Sequence, residues 1–172
     1  MAVGNLEFIK SVSGTSVSSL SVTDCFSNKY DVYMIQMKEF DTTANASSLF
    51  RFLDSGGTEI SSSIYDWANL TIRAGNTFLE EKGTNSSTIA NFSYATTTNY
   101  GMGNTIMVFN PYDSSSYSFL IYQTAHWQQL NNYMEGRKSI AVLKQSAIHS
   151  GFKLYPSSGT LDKISVSVFG VK

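Results

Sequence analysis

The side chains of this chain that could move a proton, attack a carbonyl or hold a metal are two histidines, one cysteine and thirteen carboxylates. His126 stands before Trp127 and His149 before Ser150, and neither has a Cys, Asp or Glu at ligand spacing. For His126 the pattern predicts a partly buried, hydrogen-bonded ring at a strand end, and for neither histidine a metal. Glu80 and Glu81 are adjacent, so on a strand they point to opposite faces. A glycosidase needs two carboxyls converging across a cleft at about 5–10 Å, which Asp54, Glu59, Asp66 or Asp113 could supply only from distant strands. A calcium site at Asp113 needs only oxygens, but no EF-hand spacing supports it. Cys25 follows Asp24, whose negative charge dulls a thiol, and no Gly-x-Ser-x-Gly elbow occurs. Gly101-Met102-Gly103 lacks the third glycine and the following helix of a phosphate cradle, and is read as a hairpin loop. The expectation is therefore no catalytic residue, no cofactor and no metal ligand.

Aromatic rings are the remaining resource, with ten Tyr, eleven Phe and two Trp. Tyr65, Trp67, Tyr100, Tyr112 and Trp127 fall near loops, where a ring can stack on a sugar or anchor an interface. The competing reading is that these rings plug the ends of a β-structure.

Chemistry of this kind has to be carried by a scaffold, and the composition describes one. The 172 residues suit a single domain, 1–172, and 42% hydrophobic residues suffice for a core. Only 15% are charged, against about 25% in ordinary domains, so Ser, Thr, Asn and Gly must cover the surface. A formal net charge of −1 without a basic block excludes nucleic-acid binding through counterion release. One cysteine permits no internal disulfide. The start, MAVGNLEFIK, has neither a charged nor an apolar signal region, and no stretch reaches the ~18 apolar residues of a membrane span. A reducing cytoplasm is the expected place of synthesis. The Asn-x-Ser/Thr sequons at Asn45, Asn69, Asn85 and Asn91 carry no weight in so polar a chain.

Strand patterns recur with turn residues between them. They are read at 5–12, 17–26, 30–40, 48–54, 77–82, 88–94, 105–110, 117–125 and 133–144, and in a closing pair within 148–171. In the segment 30–40, Tyr33, Ile35 and Met37 form one apolar face and Tyr30, Val32 and Met34 the other, as in a central strand. Ser55-Gly56-Gly57 suits a tight turn. Ile64, Trp67, Ala68 and Ile72 have roughly helical spacing, so a short turn or helix is expected over 65–68, with a strand after it. The closing segment Ile148–Val171 reads as a hairpin about Pro156-Ser-Ser-Gly159. Its second strand turns Ile164, Val166 and Val168 one way and Ser165 and Ser167 the other. The prediction is an all-β fold: a single antiparallel, jelly-roll-like β-sandwich of about 8–10 strands with little helix.

Three segments carry a resemblance to a known group. Phe26–Met37 (FSNKYDVYMIQM) is similar to an early "F-x-x-x-Y-D-x-Y-x-I" strand, and Leu49–Ala68 to an "L-x-x-R-x-x-D-x-G-G … Y" hairpin. The closing segment is similar to the ending "I-x-x-I-x-L-y-P-x-s-G-x-x-x-x-G-x-x-x-x-Y-G-I". Together they resemble small β-sandwich proteins of tailed-bacteriophage virions. The chain departs from that pattern at Asp162-Lys163, where glycine is common, and at Phe169, where tyrosine is usual. The resemblance implies a non-enzymatic virion protein assembled in a host cytoplasm: a decoration or cement subunit on the head. Its implied partners are the major capsid protein or other virion proteins and copies of itself, a trimer favoured among cyclic oligomers. The alternative it implies is a tail-tip or tail-fibre receptor-binding domain that takes a host-surface glycan through the loop aromatics.

Overall fold

The computed structural model describes residues 5–75, 78–95, 102–128 and 132–172. The strands are β1 (Leu6–Val17), β2 (Leu20–Val22), β3 (Val32–Thr42), β4 (Ala46–Asp54), β5 (Tyr65–Arg73) and β6 (Leu79–Ser86). They continue as β7 (Ile89–Ala95), β8 (Met102–Phe109), β9 (Ser118–Gln128), β10 (Tyr133–Leu143), β11 (His149–Pro156) and β12 (Leu161–Val171). Two antiparallel sheets pack as a β-sandwich. The large sheet has the order β1-β12-β3-β8-β9-β10-β5-β6 and the small one β2-β11-β4-β7.

The all-β expectation holds, but the strands among the described residues number twelve, above the eight to ten expected. The closing pair is not a hairpin. β11 lies in the small sheet between β2 and β4, while β12 lies in the large sheet between β1 and β3. The segment between them crosses from sheet to sheet as an arch. Pro156 ends the ladder, Ser157 N–H donates to the Ser47 carbonyl at 2.9 Å, and Gly159 takes φ +69°. Thr43 N–H donates to the Thr160 carbonyl at 3.0 Å, so the arch lies against the β3–β4 connection, which makes the same crossing. Alternation along β12 identified its buried face correctly, with Ile164, Val166 and Val168 at most 1% exposed. Alternation says only that one face is buried; it does not say which sheet buries it.

Two other local expectations are corrected. Residues 65–68 are neither turn nor helix but the start of β5, paired residue by residue with β10 from Tyr65↔Leu143 to Arg73↔Glu135. Cross-strand pairing on both edges overrides a weak helical spacing. Ser13–Ser16, read as a turn, continues β1 beside β12. Similarly, Met102 and Gly103 belong to β8, with Gly103 opposite Ala125; Gly101 lies outside the described residues.

The core lies between the sheets and is rich in rings. Phe50 and Phe152 stack with centroids 5.3 Å apart, and Phe26 meets Tyr33 edge-on at 4.8 Å. Tyr33, Ile35 and Met37 supply the β3 contribution, as their spacing predicted. Tyr33 Oη donates to the Ser27 carbonyl at 2.8 Å, which satisfies the one polar atom of a buried ring.

Candidate interaction surface

Inward positions of β9 alternate strictly with outward ones, and the outward set is Phe119, Ile121, Gln123, Ala125 and Trp127. On a sheet with one wet face those positions should be polar. Phe119 and Ile121 instead stand 45% and 44% exposed. The registers show that they belong to rows running across the large sheet. One row passes through Phe8, Phe169, Met34, Met107, Ile121 and Ile140, ending at Ala68. Beside it runs a second, through Leu6, Val171, Val32, Phe109, Phe119 and Val142. Both rows lie on the outer face, at the sheet end where β3 begins and β12 ends.

The next row inward is polar: Ser11, Ser167, Gln36, Thr105, Gln123 and Lys138. From β1 to β10 the two apolar rows thus form a band with a polar border, past which β5 exposes Leu70 and Ile72 as well. Phe8, packed edge-on against Phe169 with centroids 5.8 Å apart, is 60% exposed at one end, and Ile140 is 61% exposed at the other. Near Ile140 the surface dips into a hollow of about 540 Å³ lined by Trp67, Ala68, Phe119, Ile121, Ile140 and Val142 among others. Monomers seldom expose an apolar patch beyond about 300–600 Å² without a use for it. Five of the twelve large side chains (Leu6, Phe8, Phe119, Ile121 and Ile140) are 44–61% exposed and the other seven half-buried, so at roughly 200 Å² each they present on the order of 800 Å². Part of the band could have been seen in the sequence. Phe119 and Ile121 on β9, and Ile140 and Val142 on β10, sit at the positions that alternation assigns to water.

The aromatic residues singled out from sequence do not form this surface as a group. Tyr65 is fully buried, donating from Oη to the Ile60 carbonyl at 2.9 Å while accepting from Phe52 N–H at 3.1 Å. It plugs the core and cannot stack on a ligand. Tyr112 is half-buried and packs against the core. Trp67 is half-buried at the rim of the hollow, so close to Gly83 that a Cβ there would fall 2.5 Å from the indole nitrogen. Trp127 is 40% exposed beside Met134, toward the opposite end of β9 and about 26 Å from the Phe119 row at 3.3 Å per residue. Tyr100 lies outside the described residues.

A second feature lies inside the sandwich. The inward face of β10 changes from Leu143 and Ala141 to Ser139, Arg137 and Glu135. Glu135 is fully buried, yet its carboxylate accepts from Arg73 Nε at 2.8 Å and Arg137 Nη2 at 3.1 Å. Arg137 also donates to the Asn91 carbonyl of β7 at 2.7 Å. His126 Nε2 stands 3.6 Å from Glu135. Burial, with Arg137 opposing Glu135, lowers the His126 pKa to about 4. Nearby, Tyr122 Oη donates to Asn69 Oδ1 at 2.6 Å. An imidazole held neutral by burial does not take a proton readily near pH 7. The cluster's role is to fix β5, β7, β9 and β10 against one another. Sequence reading missed it, although Glu135 and Arg137 share one face of β10 by simple parity.

Other candidate groups are tied up locally. His149 is fully buried, its Nδ1 3.0 Å from Ser118 Oγ, and burial lowers its pKa to about 4. Burial pushes the Cys25 thiol up to about 12. Glu59 bridges Arg51 and Lys153, Asp66 pairs with Lys144, and Asp113 accepts from Ser115. Asp54 Oδ1 accepts from the N–H groups of Gly56 and Thr58. Among the described residues no group of three or more His, Cys, Asp or Glu could hold a metal ion, and no helix is long and apolar enough to cross a membrane. No protein-family model matches the chain, and no curated protein matches it.

Proposed function

We propose that the chain is a non-enzymatic structural protein of a tailed-phage virion, a decoration or cement subunit on the head surface. The observation that carries this reading is the apolar band. A sandwich that exposes on the order of 800 Å² of apolar outer face is a part awaiting a neighbour, since a standard interface buries about 800 Å² per partner. The resemblance of Phe26–Met37, Leu49–Ala68 and Ile148–Val171 to small virion sandwiches supplies the setting. A weakly charged surface suits dense, repeated packing, where many modest contacts multiplied by symmetry hold a shell. The alternative, a tail-tip domain that takes a host glycan, is weakened by the full burial of Tyr65 in the sandwich. Of the described candidates it keeps Trp127 as an open ring.

The test is localisation in purified particles by electron cryomicroscopy, combined with add-back to heads lacking the protein. Expected are density on the head lattice and a higher melting temperature of the reconstituted heads. Density at the tail tip, together with glycan-array binding lost in Trp127→Ala, would replace this reading with the alternative.

A further inference from the structure

The band has an order along its length that bears on what covers it. At the β1 end a knob protrudes, Phe8 backed by Phe169. At the β10 end lies the hollow of about 540 Å³ lined by Ile121, Ile140 and Ala68 among others. Between β1 and β10 are five inter-strand steps, about 24 Å. The midpoint falls between β3 and β8, where Met34 faces Met107. Methionine adapts its shape to whatever lies opposite.

Such a surface is complementary to itself under a two-fold rotation about that midpoint. The rotation lays one copy's knob into the other's hollow at both ends and sets methionine on methionine at the centre, as an isologous interface requires. Net charge does not oppose it: the bordering row is neutral but for Lys138, Asp66 and Lys82 in the lining of the hollow are of opposite sign, and the whole chain carries a formal net charge of only −1. The apolar area on the order of 800 Å² per copy matches what a stable pair buries.

We infer that the occupant of the band is a second copy of this chain, stacked face to face by its large sheet with the two bands antiparallel. The inference rests on the assembly reading above and names the first contact of that assembly. It makes the building unit a pair, with both small sheets facing outward.

Sedimentation equilibrium of the wild type is expected to give the mass of two chains at micromolar concentration. Ile140→Lys places a charge in the hollow, and is expected to weaken the pair at least about 100-fold while leaving circular dichroism unchanged. Ile72→Lys, exposed but off the band, is expected to leave the pair intact. A short bis-maleimide should join copies of Met34→Cys and not of Ser158→Cys, because Cys25 is buried and Ser158 lies on the far arch. A wild type that stays monomeric, a pair that survives Ile140→Lys, or cross-linking at Ser158→Cys but not at Met34→Cys overturns the inference. A monomer found on heads overturns the pair and leaves the decoration reading standing. A pair missing from virions does the reverse.

Discussion

His126 and His149 are the residues through which this fold meets acid. In the unfolded chain each ring takes up its proton near pH 6.5; in the folded protein each waits until about pH 4, because burial disfavours the charged form. Across that window the unfolded state binds more protons, so stability falls as pH falls from about 6.5 toward about 4. Each ring contributes a loss on the order of 3 kcal/mol at most. The carboxylates held low by their partners (Glu7 by Lys29 first, Asp66 by Lys144 first) add their losses only at lower pH, beneath their ordinary values of 4.5 and 3.8. Urea unfolding is therefore expected to show stability dropping between about pH 6.5 and about pH 4.5 with a slope near two protons. His149→Gln should cut that slope to near one. A flat profile across this range would show that the rings are not held neutral.

At the scale of elements, two glycines of similar appearance in sequence do opposite things. A Cβ on Gly151 of β11 would lie 2.0 Å from the Val22 carbonyl oxygen of β2, so backbone, not a movable side chain, stands in its way. On Gly103 of β8 it would meet nothing within 4 Å. Gly151→Ala is expected to cost about 2–3 kcal/mol by forcing β2 off β11, whereas Gly103→Ala should be neutral within ~0.5 kcal/mol. Chemical denaturation of the two variants checks this, and equal effects would refute the crowding argument. The contrast also marks where sequence reading stopped. Alternation separated the two faces of β3 and showed which face of β12 is buried, because parity is local. It could not show that β11 and β12 part into different sheets, since an arch and a hairpin use the same Pro-Ser-Ser-Gly residues. Nor could it show that Tyr65 is core, because its burial depends on β10 and the small sheet. The band was half legible: Tyr30, Val32 and Met34 were read as a second apolar face needing a neighbour, and Val32 and Met34 lie in the two rows. Only the registers join them to Phe8 and Ile140, more than a hundred residues apart.

For the whole molecule, the sandwich closes on itself at its ends. β1 pairs with β12 from Leu6↔Val171 to Val17↔Leu161, and Lys172 N–H donates to the Asn5 carbonyl at 2.9 Å. Both ends of the described chain therefore lie beside the Leu6–Val171 row of the band. The turn at Ser55–Gly57 is exposed; there Gly57 takes φ +81°, and its N–H returns to the Asp54 carbonyl at 3.0 Å. A circular permutant that joins Lys172 to Asn5 through a short Gly-Ser linker and opens between Gly56 and Gly57 breaks no core contact. It loses one small turn and fixes the β1–β12 pairing as a local hairpin, which lowers the entropy cost of closing it. The permutant is expected to fold, with unfolding free energy within ~2 kcal/mol of the wild type by urea titration. It should also keep the solution mass of the parent, because the joined ends pass beside the band and do not cross it. A permutant that folds but changes its state of association would place the contact at the sheet edge formed by β1 instead of on the outer face. A permutant that fails to fold would show that the Asp54–Gly57 turn, and with it the Leu53–Glu59 bridge, is needed to set β4 against β11.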